Sequence, residues 1–404
     1  MGPEERPLRF LLLHSRTGGG HLRVARTVAD ALTARYSDRV QVTLVDVLAE
    51  YAPWPLSKSP EWYILGLCGG GRLYGWWFLL LNRKLCVQSI HHLLWPLMRP
   101  RAFRLFKDHP ADIVVSFHPV LLNSLSRALR LINPSLPFVV VGSELVVMHA
   151  LWASPYVHRY LVATEEARVQ LIHHGVNPER IEVTGLPIRK SFQEATLVES
   201  TAIRQKLGLE PTLPTVLVMG GGAGFGPLKQ VVSAIAHSCP TAQIVVSTGH
   251  NEKMRVQLAA MPWPSRVWIK GFLENIHEWM RAADVLVTKA GPVTIAEALT
   301  IGVPMVLWGA IPVQETPNVR LVVDAEAGIW APGPQRVADA VTFFLKNPGA
   351  RATAGRQAHQ LASPDAAEKI ADILWETARC RQSSGETCRS AERISKHQRL
   401  LQTC

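Results

Sequence analysis

Short apolar runs alternate with longer segments of helical hydrophobic period through most of the chain, the pattern of buried parallel strands joined by helices. Leu8–His14 reads as the first strand; a glycine-rich turn, Thr17–Gly20, follows it, then a helix from about Leu22 to Tyr36. Gln41–Val47 (containing Asp46), Ile113–Phe117, Pro137–Val141, Tyr160–Ala163 and Ile181–Thr184 continue the set. Residues 191–210 predict a helical linker with a proline-bounded exit. The alternation then restarts, with strands at Thr215–Met219, Ala242–Ser247, Val267–Lys270, Val285–Thr288 and Met305–Leu307. Pro332–Pro334 punctuates the approach to the last helices. The expected class is therefore α/β, with two doubly wound, Rossmann-like domains at 1–190 and 211–379. Beyond residue 380 the chain turns polar and rich in Ser, Arg and Gln, a composition that predicts a disordered tail over 380–404.

One segment breaks the alternation. Residues 54–98 hold five of the twelve tryptophans, Trp54, Trp62, Trp76, Trp77 and Trp95, among prolines and glycines that make it irregular. Arg72, Arg83 and Lys84 interrupt its apolar character, so it is not expected to cross a bilayer. Tryptophans mixed with cations suit the headgroup boundary, which makes this a candidate membrane-contact excursion; a helical cover buried on the first sheet is the alternative. No stretch of the chain reaches the roughly 18–20 uninterrupted apolar residues of a membrane-crossing helix.

Charge sharpens that picture. The net charge is +11, and residues 1–190 hold 22 Lys and Arg against 14 Asp and Glu, the remainder 21 against 18. The first half is thus the expected docking surface for phosphate or anionic lipid. Nucleic acid is not an expected partner, since no zinc spacing, aromatic RNA-binding strand or basic helix occurs. The six cysteines form no CxxC pair, which fits a reducing compartment. The N-terminal apolar run is a short strand without the basic lead of a signal peptide.

Candidate chemistry sits at the turns after strands. Thr17-Gly18-Gly19-Gly20-His21 lets a ligand approach the backbone at a helix N-terminus, which attracts negative charge. A dinucleotide site with Asp46 as its ribose acid is the rival, but the spacing is not GxGxxG. A near-neutral imidazole at His21 suits removal of a proton from an acceptor hydroxyl, although a plain helix-start histidine is the bland alternative. Gly220, Gly221 and Gly222 begin a second glycine loop, suited to phosphate or acceptor contact or to a simple turn. The most specific string is Lys289 to Leu299. Its helix opens at Pro292 after Gly291, so the free amides there can hold a pyrophosphate, and Glu297 lies where ribose hydroxyls could donate to it. Gln314, Glu315 and Asn318, in the loop after Met305–Leu307, offer groups suited to neutral sugar hydroxyls.

Taken in order, TGGGH, VTGLPI, GGGAGFGPL, KGFLENIHEWM, KAGPVTIAEAL and IPVQETPNV resemble the monogalactosyldiacylglycerol synthase and processive diacylglycerol glucosyltransferase group (glycosyltransferase family 28) over nearly the whole folded length. That group is related to the bacterial transferase that adds N-acetylglucosamine to the peptidoglycan lipid precursor. The resemblance implies a GT-B fold with an interdomain cleft, inversion at the anomeric carbon, UDP-galactose or UDP-glucose as donor, and diacylglycerol as acceptor. It implies peripheral attachment through the first domain, with anionic membrane lipids as partners, and neither cofactor nor metal. His21 would be the general base and Phe272 would meet uracil through its backbone. Gly291 and Thr294 would face the diphosphate, Lys289 would assist them, Glu297 would hold the ribose, and Gln314 and Glu315 the sugar. Helix amides would stabilise charge on the leaving diphosphate.

Ser143-Glu144 stands where the group has Thr-Asp, followed by His149 and Trp152, and Ala223 replaces a commonly acidic residue. Gly19, Gly20, Ser143, Glu144, His149 and Trp152 form the expected acceptor side, and the departures leave the acceptor's identity open. A polyprenyl-linked or other lipid acceptor is one alternative, and a UDP-sugar epimerase of the same architecture another. A non-catalytic membrane scaffold predicts loss of His21 or Glu297, and both are present. The expected location is the cytoplasmic face of a bacterial inner membrane.

Overall fold

A computed structural model describes residues 6–17, 19–58, 61, 72–222, 224 and 226–383; for 72–74, 77, 84–85 and 381–383 it describes the backbone alone. Two six-stranded sheets are parallel throughout. The first contains β1 (Leu8–His14), β2 (Val40–Asp46), β3 (Ile113–Ser116), β4 (Phe138–Val141), β5 (Arg159–Val162) and β6 (Ile181–Val183), in the order β2-β1-β3-β4-β5-β6. The second contains β7 (Thr215–Met219), β8 (Gln243–Ser247), β9 (Arg266–Lys270), β10 (Val285–Lys289), β11 (Met305–Gly309) and β12 (Gly328–Trp330), in the order β12-β11-β10-β7-β8-β9. β12 was not among the expected strands: it is an edge strand, Gly-Ile-Trp, whose Trp330 is exposed, so it lacks the apolar run of a buried strand. Each order reverses once, between β1 and β3 in the first sheet and between β7 and β10 in the second. A crevice opens at such a switch point, beyond the carboxyl ends of the strands, and ligands of open α/β sheets bind there.

Six helices matter below: α1 (Gly20–Tyr36), α2 (Arg72–Leu81), α3 (Lys84–Asp108), α4 (Pro292–Ile301), α5 (Thr316–Asp324) and α6 (Ala366–Ser383). The expected linker contains two short helices, Lys190–Thr196 and Ser200–Lys206. One apolar cluster runs from Phe10 and Val115 through Phe192 and Ile203 to Ile295, Leu299, Ile370 and Leu374, joining both sheets and the linker. Phe192 is fully buried at that junction, and its truncation to Ala would cost about 3–5 kcal/mol. α6 follows the second sheet in sequence but packs on α1. Trp375 stacks on Tyr36 with ring centroids 4.2 Å apart, and Asp372 accepts from the Tyr36 hydroxyl at 2.5 Å and pairs with Arg35. The tail from residue 384 lies outside the described residues.

The excursion is more regular than its glycines and prolines suggest. α3 runs unbroken through Pro96 and Pro100, each of which removes one backbone donor. Burial offsets that loss: Val87, His91, Met98, Ala102 and Leu105 line one inward face, while Leu93 and Leu97 point outward, 78% and 53% exposed. Trp76 and Trp54 are each 78% exposed, and Leu79 and Leu80 beside Trp76 are about half exposed. Trp95 instead turns inward, with the Arg127 guanidinium 4.3 Å above its ring. Of the expected membrane-contact residues, Trp76 and Arg83 are exposed. Trp62, and the side chains of Arg72, Trp77 and Lys84, lie outside the described residues. Among the described residues no helix is long and apolar enough to cross a membrane.

Candidate active site

Four turns meet at the two switch points. Gly19 takes the left-handed conformation (φ +78°) that only glycine adopts cheaply, which lets the chain leave β1 and enter α1 at once. His21 follows in the first turn of α1. Its Nδ1 lies 2.8 Å from the Phe117 carbonyl, just past β3, and 2.6 Å from Ser143 Oγ, past β4. A carbonyl only accepts, so this network assigns the proton to Nδ1, which donates to both oxygens. Nε2 keeps its lone pair and has no hydrogen-bond partner among the described residues.

Burial pushes the His21 imidazole from its ordinary 6.5 down to about 4, against the pull of the Phe117 carbonyl, so the ring is neutral at physiological pH. His118 meets it edge-on, ring centroids 4.6 Å apart. Burial also holds His118 well below its ordinary pKa, helped by His21 and His14, and its Nδ1 is buried without a partner. Trp152, 1% exposed, backs the pair at 6.3 Å from the His21 ring.

Beside Ser143, Glu144 reaches across the cleft. Its Oε1 accepts from Gln314 Nε2 at 3.0 Å, while Oε2 is buried with no partner. Burial lifts this carboxyl to about 8, outweighing the Gln314 bond. His149 takes no part in this constellation. Its Nε2 donates to the Phe78 carbonyl of α2 at 3.2 Å, and its Nδ1 accepts from the Leu151 amide at 3.1 Å. With Asn82 Oδ1 accepting from the Ala150 amide at 2.7 Å, it clasps the excursion to the loop after β4. Both ring nitrogens being occupied, His149 fastens the excursion here, whereas the sequence placed it on the acceptor side.

The opposite wall is built by the turns after β7 and β10. Gly291 caps α4 without a side-chain bond and Pro292 lacks an N–H, so the amides of Val293 and Thr294 have no intrahelical acceptor. Val293 packs close to the first turn of α1: a Cβ added at Gly20 would meet its Cγ2 at 3.8 Å. Gly221, at φ +72°, brings its backbone so close that a Cβ would lie 3.5 Å from Lys289 Cε. Lys289 Nζ in turn pairs with Glu315 Oε1, and Glu315 Oε2 accepts from the Ile311 amide at 2.9 Å. Asn318, at the start of α5, donates from Nδ2 to the Ala290 carbonyl at 3.0 Å and so braces the same turn. Gly220 and Gly222 flank Gly221, and Thr294 is partly exposed at the mouth of α4. Phe272 stacks on His250 at 4.3 Å and is 44% exposed, leaving the backbone of the Gly271–Phe272 pair beside the loop after β8.

Glu297 is 1% exposed, and Arg23 of α1 crosses the cleft to it, Nη1 lying 3.2 and 3.4 Å from its two oxygens. Burial raises this carboxyl, opposed by Arg23 and Arg189. Sequence reasoning singled out neither Arg23, Arg189, His118 nor His250. Arg23 stands only two residues beyond His21, but its partner is 274 residues away, and no local pattern reports such a pair. Asp46, the rival ribose acid, is spent: its Oδ1 caps the helix Val47–Tyr51 by accepting from the Ala49 amide at 3.1 Å. Among the described residues no group of three or more His, Cys, Asp or Glu is arranged to hold a metal ion.

The monogalactosyldiacylglycerol synthase family model matches residues 21–188, and that of the glycosyltransferase family 28 C-terminal domain matches 215–370. The probable chloroplastic monogalactosyldiacylglycerol synthase of Nicotiana tabacum is 31% identical over 95% of this chain and 73% of its own length. Its Spinacia oleracea counterpart is 32% identical over 93% and 73%. Among solved structures, MurG of Acinetobacter baumannii superposes with a TM-score of 0.58 at 16% identity, covering 92% of this chain and all of that one. The UDP complex of S. aureus MnaA gives 0.60 at 13% identity, over 91% and 96%. Those structural likenesses establish the fold as GT-B. The residues of the cleft are carried by a sequence that aligns with these synthases from one domain through the other, and the chain belongs to the monogalactosyldiacylglycerol synthase family of glycosyltransferases.

Proposed function

We propose that this chain transfers galactose or glucose from a UDP-sugar to the free hydroxyl of diacylglycerol, with inversion, and that His21 is the general base. The observation that carries the reading is the free Nε2 of His21, held neutral and oriented by its own Nδ1–H, opposite the open amides of α4. The acceptor hydroxyl gives its proton to Nε2 as its oxygen attacks C1 of the sugar. The bond from C1 to the β-phosphate oxygen breaks, and the electrons leave with UDP. The Val293 and Thr294 amides and Lys289 receive the charge that develops on the diphosphate, in a cleft where water is scarce and such contacts are strong. Glu297 accepts from the ribose hydroxyls, and Gln314 and Glu315 meet the sugar. No step in this scheme uses a metal or cofactor.

The exposed Trp76, Leu79, Leu80, Leu93 and Leu97 of α2 and α3, with Arg83 between them, support peripheral contact of the first domain with anionic lipid. His149 ties that surface to the loop carrying Ser143 and Glu144, so the lipid face and the acceptor side are parts of one unit. We assign the protein to the cytoplasmic face of a bacterial inner membrane.

The test is incubation with diacylglycerol in anionic micelles and, separately, UDP-galactose or UDP-glucose, with lipid products resolved by mass and sugar identity. A monohexosyl diacylglycerol from one donor supports the reading and names the sugar. No product from either donor, with UDP still bound, would move the acceptor away from diacylglycerol.

A further inference from the structure

Arg23 reaches from the first domain across the cleft to hydrogen-bond the residue expected to hold the ribose, and its geometry is that of an incomplete pair. Only Nη1 engages Glu297, at 3.2 and 3.4 Å, whereas a forked guanidinium–carboxylate pair places two nitrogens at about 2.7–2.9 Å. Nε and Nη2 make no hydrogen bond among the described residues, and the side chain is 32% exposed toward the cleft. Glu297, at 1% exposure, is an acid whose burial is poorly compensated by that single contact.

Position supplies the rest. Arg23 lies in the same first turn of α1 as Gly20 and His21, and a Cβ built on Gly20 would meet the Val293 side chain at van der Waals distance. Val293 and Glu297 are four residues apart on α4, hence neighbours on one face, about 5–6 Å between Cβ atoms. The Arg23 guanidinium therefore sits over the strip of α4 that joins the ribose-holding carboxylate to the open amides. A nucleoside diphosphate bound there puts its sugar hydroxyls at Glu297 and its phosphates within a side-chain rotation of Arg23. The three or more N–H groups that Glu297 leaves unused match phosphate oxygens.

We propose that Arg23 is a donor-binding residue supplied by the opposite domain: one of its nitrogens steadies Glu297 and its remaining N–H groups turn to the diphosphate of the nucleotide sugar. This rests on the assignment of Glu297 to the ribose. The cation that neutralises the leaving group would then be carried by the same domain as the proposed base.

Binding of UDP and of uridine, which lacks phosphate, to the full chain and to Arg23→Gln and Arg23→Lys separates the possibilities, with thermal midpoints as the folding control. The expected result is that Arg23→Gln weakens UDP roughly ten- to hundredfold while uridine is unchanged or tighter, and that Arg23→Lys recovers part of the loss. Unchanged UDP affinity would overturn the proposal. So would UDP and uridine tightening together, which makes Arg23 a mere plug over Glu297, or weakening together, which makes its role structural. Glu297→Gln tests the underlying assignment separately: if uridine binding survives it unaltered, the ribose is held elsewhere and that reading fails, whatever Arg23 does.

Discussion

The two walls of the cleft use opposite electrostatic means. Around α1 the polar groups are imidazoles that burial keeps uncharged: His21 and His118 in contact, with His14 close enough to disfavour protonation of either. Around α4 they are ions and open dipoles: Lys289 with Glu315, Glu297 with Arg23, and the amides of Val293 and Thr294. In the proposed mechanism a wall that accepts a proton benefits from a ring already stripped of one, and a wall that holds a diphosphate benefits from fixed positive ends and cations whose counter-charges are in place. The difference is one of burial as much as of residue type. No carboxylate acts on His21 or His118, so desolvation wins, whereas Glu297 and Glu315 of the other wall each have a cation in reach.

The comparison can be broken most sharply at His21. His21→Ala is expected to lower turnover by roughly 10²–10⁴ while UDP affinity holds. Near-normal turnover would move the base elsewhere, His118 being the nearest candidate. Next is Lys289→Ala, which leaves Glu315 (3% exposed) without its cation. Removing one partner of such a buried pair costs about 3–5 kcal/mol, so a fallen thermal midpoint and weakened UDP binding should occur together, and loss of UDP binding with an unaltered midpoint would assign Lys289 to ligand alone. Glu297→Ala should weaken UDP by roughly tenfold or more and leave the acid limb of the pH profile where it was.

Acidity separates the walls more gently. With His21 neutral down to about 4, turnover should persist as pH falls through 6.5, and a loss centred at 6.5 would mean that the ring is solvated during reaction. The same depressed values have a stability consequence. Between 6.5 and about 4 the unfolded chain binds protons that the folded one refuses at His21, His91 and His149, so stability from these groups is full above 6.5 and drains as pH falls through that window. Glu144 works the other way. Its carboxyl is raised from 4.5 to about 8, so its contribution falls as pH rises between those values, and Glu144→Gln should flatten the thermal midpoint over that range. The smallest effect concerns the outer surface: flotation with anionic liposomes should weaken in high salt and on Trp76→Ala with Arg83→Ala, each surface contact being modest.

Much of this was legible along the chain. The alternation of apolar runs with helical segments disclosed eleven of the twelve strands, because a buried parallel strand must be apolar almost throughout, and the missed β12 is an edge strand of Gly, Ile and an exposed Trp. The turn motifs were legible for a related reason. A glycine at positive φ, a proline at a first helical position and a histidine at the start of a helix are local requirements, and local requirements leave local signatures. Trp95, by contrast, belonged by composition to the exposed aromatic set and turned inward under Arg127, since which face of a helix is covered depends on what packs there.

Sequence by itself thus determined the two-sheet α/β architecture, the family, and the turns that carry His21 and the open amides of α4. Tertiary structure alone decided that Nδ1 of His21 is the protonated nitrogen, that Glu144 meets Gln314, that His149 clasps the excursion, that α6 returns to the first sheet, and that Arg23 faces Glu297. Each of these joins residues far apart in the chain, and a hydrogen bond or a burial-driven change in acidity depends on distance and solvent exclusion, quantities that exist only once the two domains have closed on one another.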